Sequence, residues 1–148
     1  MGSVWDGTLA GIVGAITGGL AGYVATRIAN SANRKAARLE SRLDAIDTTV
    51  ESLCRDSVAY WKNPSRDQPS ESRILGYFED IGSKIGNLSG FGISAETINS
   101  AQFKADRLYD LVTDDPFQSD RWTPRAEIIE EVRKSCRNIS STFHPNRR

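Results

Sequence analysis

GTLAGIVGAITGGLAGYVAT, residues 7–26, contains no charged residue, and about every third residue in it is glycine. Glycine is a poor helix former in water, at about 1 kcal/mol per residue against alanine. The run nevertheless has about 20 residues, the length with which a helix crosses about 30 Å of hydrocarbon. Trp5 and Tyr23 lie near its ends and Arg27 closes it, as aromatic and basic residues do at membrane interfaces. The sequence therefore predicts a transmembrane helix over residues 7–27.

Other interpretations of this N-terminal region fit less well. A signal peptide begins with a basic region, whereas the leader MGSVWD carries an acid and no base. Myristoylation needs Ser or Thr at the sixth position, which is Asp6. A buried helix of a soluble protein would fold at a high cost with so many glycines. Cleavage and a soluble helix stay open as alternatives to the membrane span.

The charges that flank the run predict its orientation. The chain of 148 residues has no net charge, so charge matters only locally. The basic residues that follow the run are Arg27, Arg34, Lys35, Arg38 and Arg42. Because positive residues stay on the cytoplasmic side, we expect an extracytoplasmic N-terminus over residues 1–6 and a cytoplasmic remainder.

The small residues of the run share one helical face. On a wheel of 100° per residue they fall within a sector of roughly 80°. They are Gly7, Gly11, Gly14, Gly18, Gly22 and Ala25. In lipid, helices associate through close backbone approach, and G-x-x-x-G is the signature of such contacts. The pattern predicts self-association of the span, with a glycine-rich monomeric anchor as the alternative.

The same face continues beyond the predicted span. Counted from Gly11 at alternating steps of four and three, small or apolar residues recur for about seven heptads, as in a coiled coil. In the predicted stalk helix, residues 28–62, the oligomerisation seam comprises Leu39, Leu43, Ile46, Val50 and Leu53. Pro64 disfavours a helical Asn63 and ends the helix. Alternatively, these apolar residues pack on later helices of the same chain.

Residues 63–148 predict three shorter helices and no strand. Apolar spacing predicts a helix at about 72–88, Ser94 predicts the cap of a second, and Thr123-Pro124 predicts the start of a third. With the lower part of the long helix they would form a four-helix bundle. The predicted fold is all-α: a long transmembrane-plus-stalk helix followed by a cytosolic helical-bundle domain, assembled as a homo-oligomer.

No motif of a known enzyme class occurs in the chain. Phosphate-binding, dinucleotide-binding, zinc-protease and serine-hydrolase patterns are all missing from the sequence. His144 precedes a proline and has no evident catalytic partner in the sequence. Cys54 and Cys136 are expected to be reduced and buried, with a disulfide between them or between copies as the alternative. We predict no enzyme activity, no cofactor, no metal and no catalytic residue.

Two basic clusters in the last third of the chain are candidates for binding an anionic ligand. Basic groups beside an aromatic ring suit a phosphate or a stacked nucleobase, and helix starts attract anions. The candidate residues are Arg121, Trp122, Arg125, Arg133, Lys134 and Arg137. In the alternative interpretation, Trp122 belongs to the core and the arginines are solvated or paired.

The layout of an N-terminal glycine-rich span followed by a compact helical domain resembles small single-span effectors of bacterial phage-defence operons. It is most similar to the Hailong-type channel partner of a nucleotidyltransferase. The resemblance is one of architecture and carries over no residue. It implies an inner-membrane channel triggered by a nucleotide or short oligonucleotide, with a regulator encoded in the same operon.

The sequence thus favours a homo-oligomeric membrane pore that its cytosolic bundle gates. The alternative is a membrane-anchored oligomeric scaffold without pore activity. A third interpretation is a soluble or phage-structural helical protein with a self-associating N-terminal helix.

Overall fold

The computed structural model describes residues 6–144, with side chains from residue 26 onward, and its regular elements are all helical. The four α-helices are α1 (Asp6–Lys62), α2 (Gln68–Gly86), α3 (Ala95–Thr113) and α4 (Ile129–Phe143). Turns of 3-10 helix at Asn87–Phe91 and Ala126–Ile128 follow α2 and precede α4. Among the described residues there is no strand, so the predicted all-α class is confirmed.

The chain divides into a unit of residues 1–38 and a compact unit of residues 39–148. In the first unit, every described side chain (residues 26–38) is exposed. The predicted N-terminal segment 1–6, nearly all of the predicted span and the small seam residues from Gly7 to Ala25 lie outside the described side chains. Within the fully described part of the chain, no helix is long and apolar enough to cross a membrane.

The second unit is a bundle in which α2 runs antiparallel to α1. Lys84 Nζ, near the end of α2, donates to Thr49 Oγ1 of α1 at 2.7 Å. Near the start of α2, Glu71 accepts from Tyr60 Oη at 2.7 Å. Further side-chain contacts join α3 to α4 and α4 to α1. All four helices therefore contribute to one core, as the sequence predicts.

The apolar stripe of α1 is buried inside the chain itself from Leu43 onward. The buried α1 residues of the core include Leu43, Ile46, Val50 and Leu53, and Leu39 packs against them partly buried. The sequence assigns these five residues to the oligomerisation seam, but the structure places them against the chain's own later helices. Burying such a side chain contributes about 1.5–3 kcal/mol to folding stability. Packing within one chain supplies this burial, so no second copy of the chain is needed for it. The compact unit begins at Leu39, whereas the bundle domain is predicted from residue 63, with the lower part of the long helix added to it.

Ser57 interrupts this buried stripe with a polar atom. Its side chain is 0% exposed, and among the described residues its Oγ has no hydrogen-bond partner. An unpaired buried hydroxyl costs about 1–3 kcal/mol. We expect Ser57→Ala to raise the free energy of unfolding by about 1 kcal/mol in urea denaturation followed by circular dichroism. A loss of stability would show that Ser57 has a partner, and the exposed Thr48→Ala should have little effect.

Helix ends agree with the sequence at several points. α1 ends at Lys62, directly before Asn63-Pro64, as predicted. Ser94 is the N-cap of α3, and its Oγ accepts from the backbone N–H of Thr97 at 3.1 Å. α2 begins at Gln68, earlier than predicted, because Pro69 fits the first turn, where no N–H is needed. The 3-10 turn after α2 ends at Gly92, whose φ of 83° suits glycine.

The predicted start of the last helix at Thr123-Pro124 is wrong. The chain stays irregular there, passes through a 3-10 turn and enters α4 at Ile129. Tertiary contacts to the end of α1 explain the delay. Trp122 Nε1 donates to the carbonyl of Asn63 at 3.2 Å, and the Arg125 N–H donates to the carbonyl of Trp61 at 3.1 Å.

A buried polar network also lies at the end of α1. Glu71 is 2% exposed. Its carboxylate accepts from Tyr60 Oη at 2.7 Å and from Arg66 at 2.8 and 3.1 Å. Arg66 also donates to Asp120 at 3.0 Å. The hydrogen bonds from Arg66 hold the pKa of Glu71 below its usual range, while burial raises the pKa of Tyr60. Glu71 is therefore ionised, and both of its carboxylate oxygens accept hydrogen bonds.

Candidate functional site

A cavity of about 660 Å³ lies between α1 and α4 inside the compact unit. The α1 side of its lining includes Asp47, Val50, Cys54 and Val58. These residues recur every three or four positions, so they share one helical face. This face borders the core-facing stripe of α1. α4 covers only part of this face of α1, and the uncovered part lines the cavity.

One end of the cavity carries an acid and a histidine. Asp47 Oδ2 of α1 lies 3.2 Å from Nε2 of His144, the residue that ends α4. Both side chains are mostly buried, at 21% and 16% exposure. The contact between them does not have hydrogen-bond geometry, and neither Asp47 Oδ1 nor His144 Nε2 forms a hydrogen bond with any described residue. Because the Asp47 carboxylate oxygen is an acceptor, a ligand that supplies a donor would fit this end of the cavity.

The middle of the cavity carries both cysteines. Both are free thiols; Cys136 of α4 is buried, as predicted, whereas Cys54 of α1 is only partly buried. Burial and the neighbouring Cys54 raise the pKa of the Cys136 thiol. With Val50 and Val58, the thiols give this part of the wall an apolar character.

Three arginines lie along the cavity. Arg55 is bonded to Asp56 at 3.2 Å, and Arg133 to Glu130 at 2.5 Å. Arg137 forms no ion pair with any described residue. An unpaired guanidinium beside an apolar wall suits an anion with an apolar body. The cavity can therefore hold a ligand with a cationic contact at its rim and an apolar contact inside.

Among the described residues, the cavity offers binding groups and no thiol–imidazole dyad of Cys136 and His144. His144 follows Cys136 by eight residues on α4, about 12 Å along the helix axis, too far for a thiol–imidazole dyad. In the range with described side chains, no group of three His, Cys, Asp or Glu residues could hold a metal ion. The absence of enzyme activity remains a prediction.

The first predicted basic cluster is occupied by structural contacts. Trp122 stacks on Trp61 at 4.9 Å between ring centroids. The Arg125 guanidinium bonds to Asp114 at 3.1 Å and to Glu127 at 3.0 Å. It also lies over the Trp61 ring. Only Arg121 keeps an exposed side chain. These contacts favour the alternative interpretation, in which Trp122 belongs to the core and Arg125 is paired.

The second predicted cluster is divided between two places. Arg133 and Arg137 line the α1–α4 cavity, whereas Lys134 lies in a separate cleft that Lys104 and Glu131 also line. Helical geometry explains the division, because adjacent residues on a helix point about 100° apart. Arg137 is therefore the candidate residue whose setting fits an anionic ligand best.

The sequence did not reveal two pairs of residues that α1 and α4 bring together in the cavity. Asp47 and His144 are almost one hundred positions apart, and so no local spacing links them. The sequence predicts a buried Cys136, but its proximity to Cys54 depends on the register between α1 and α4. Apolar periodicity predicts that two helices pack, and it does not fix which residues face each other.

Comparisons with protein-family profiles, curated proteins and solved structures found no match to this chain.

Proposed function

We propose that the protein is a self-associating pore or ion-channel effector of the bacterial inner membrane, gated by its helical domain. Copies would associate through the glycine-rich run, with the N-terminus outside and the bundle in the cytoplasm. The protein would not be an enzyme. The observation that carries this proposal is the division of the α1 seam into an exposed part and a part that forms the core.

The exposed part supports self-association. The seam residues Ala29, Ala32 and Ala36 are exposed, and so is Ile28, at 65%. A helical segment exposed on all sides is marginal in water, because helices in proteins are stabilised mainly by packing. Other copies of the same segment would supply that packing, and they would bring the glycine-rich runs together.

The buried part supports control by a ligand. α1 forms one wall of the cavity with Asp47, Val50 and Cys54, and it is continuous in sequence with the glycine-rich run. A ligand that binds one arrangement of α1 and α4 better than another shifts the balance between them. We propose a nucleotide or short oligonucleotide, made by an operon-encoded partner, with its phosphate at Arg137 and its base on the apolar wall.

Particle symmetry of the detergent-purified full-length protein, with nucleic-acid absorbance measured on the same sample, tests both parts of the proposal. We expect symmetric particles of several copies. Monomers at all concentrations would contradict self-association, and symmetric particles without nucleic acid would leave assembly standing but count against a retained oligonucleotide.

Arg137→Glu provides the corresponding test of the cavity. Reversing the charge of this guanidinium, which has no ion pair among the described residues, should reduce the retained nucleic acid about tenfold, because a charge-assisted contact becomes a repulsion. Arg121→Glu is the matched control, since Arg121 is exposed and lies outside the cavity. Equal losses in both variants would indicate nonspecific attraction and contradict binding in the cavity.

A membrane-anchored scaffold is the second candidate, and the surface of α3 favours it. Phe103 and Tyr109 are 61% and 43% exposed. Exposed aromatic residues are common in protein interfaces. A scaffold would use self-association to present this surface and would conduct no ions. Phe103→Ser should abolish partner capture by a scaffold, and should leave the conductance of a pore unchanged.

A further inference from the structure

The two cysteines of the chain meet inside the α1–α4 cavity. Cys54 and Cys136 both line it, and no other cysteine occurs in the sequence. Cys54 is a neighbour of Cys136 in this wall and helps to raise the pKa of the Cys136 thiol. Cys136 is 4% exposed, whereas Cys54 is only partly buried. One thiol is therefore more accessible, and the other is nearly enclosed in the wall of the same cavity.

The register of the two helices explains this proximity. Asp47 faces His144 at 3.2 Å across the antiparallel pair. Moving seven residues along α1 from Asp47 reaches Cys54, and moving eight residues back along α4 from His144 reaches Cys136. At 1.5 Å per residue these steps are about 10 and 12 Å, so the two cysteines lie at nearly the same level. A disulfide requires such facing positions.

We infer that Cys54 and Cys136 form a redox-responsive modification site, whose oxidation by a low-molecular-weight disulfide such as glutathione disulfide links α1 to α4. The inference depends on the cavity and not on the proposed pore. Disulfides that form in a reducing compartment are usually transient and are catalytic or redox-sensing.

The reaction consists of two exchange steps. The Cys54 thiolate attacks one sulfur of glutathione disulfide, which forms a mixed disulfide and releases one glutathione thiolate. Cys136 then gives up its proton and attacks the Cys54 sulfur, which forms the Cys54–Cys136 bond and releases the second glutathione. The two cysteines lose two electrons, and the glutathione disulfide gains them. Both thiol protons end on the released glutathione molecules.

The order of attack follows from exposure and charge. Burial keeps Cys136 in the thiol form, so Cys54 reacts first. The nearby Arg137 favours the Cys136 thiolate and assists the second step. The cross-link would close a loop of about 80 residues and raise the Tm of the bundle by about 10 °C or more.

Mass spectrometry of the full-length protein in detergent, after incubation with glutathione disulfide, tests the inference. We expect the loss of both thiols, a peptide pair joined at Cys54 and Cys136, no bound glutathione, the rise in Tm and full reversal by dithiothreitol. A stable glutathione adduct, a disulfide between copies or unreacted thiols would each overturn it.

Two conservative variants test the order of the steps. Cys136→Ser should stop after the first step and retain one glutathione on Cys54, whereas Cys54→Ser should remain unmodified. The opposite pattern would overturn the assigned order. The Tm values of both variants under reducing conditions show that the bundle is folded, so a lack of reaction cannot be attributed to unfolding.

Discussion

Trp61→Ala will lower the free energy of unfolding by about 3–5 kcal/mol, the range for removing a large buried aromatic residue. Trp61 is 0% exposed at the end of α1. Its ring stacks on Trp122 at 4.9 Å and meets Tyr60 edge-on at 5.3 Å. The guanidinium of Arg125 lies 5.6 Å from the ring centroid. The substitution would leave a cavity and remove the surface on which the segment before α4 packs.

Urea denaturation of the full-length protein in detergent, followed by far-UV circular dichroism, measures this loss. Phe103→Ala is the matched control, because Phe103 is an aromatic residue of α3 that is 61% exposed. We expect the control to change stability by less than about 0.5 kcal/mol. Similar small effects of both substitutions would contradict the packing of Trp61 in the core.

Glu71→Ala is expected to lower the free energy of unfolding by about 2–4 kcal/mol. The buried carboxylate accepts from Tyr60 Oη and from Arg66, which would both lose their shared partner. Removing one member of a buried charged network costs more than the network contributes as a whole. Denaturation in urea again provides the measurement. Replacing Glu79, an exposed glutamate on the same helix, by alanine should have little effect.

The pH dependence of stability provides a separate test of Glu71. Its folded-state pKa lies below the unfolded value of about 4.3, so its contribution is complete above that value and is lost as pH falls through the folded pKa. We expect the wild-type protein to lose stability below about pH 4, and Glu71→Gln to show a flatter profile there. Parallel profiles would contradict an ionised, paired Glu71.

The helices and the core could be predicted from the sequence because apolar periodicity is a local signal. Local helix-breaking and capping chemistry predicts the end of α1 at Lys62, through Pro64, and the capping of α3 by Ser94, as the structure shows. It fails at Thr123-Pro124, where local capping preference is outweighed by the packing of Trp122 on Trp61. Periodicity identified the stripe of α1, but it could not determine which partner covers it.

The candidate site could be predicted less well from the sequence, because it depends on the register between helices that are distant in the chain. Arg133, Lys134 and Arg137 are neighbours in sequence, yet only two of them line the cavity. The Asp47–His144 contact joins the middle of α1 to the residue that ends α4. Neither residue type nor spacing indicates such a pairing before the helices are packed.

The division of the α1 seam also sharpens the functional account. From Leu43 onward the stripe is part of the chain's own core, so the proposed self-association would depend on the residues before it. The exposed Ala29, Ala32 and Ala36 and the predicted glycine face form that remaining surface. The account therefore places assembly in the N-terminal part and ligand control in the bundle.

Single-channel recording in planar bilayers tests the central claim most directly. The account predicts discrete conductance steps for the purified wild-type protein and their loss in Gly14→Leu/Gly18→Leu, because bulky residues prevent close helix approach. Leu9→Ile, on the opposite face, should retain them. A wild-type protein that inserts in the bilayer without conductance, with or without added oligonucleotide, or a double glycine variant that conducts normally, would contradict the account.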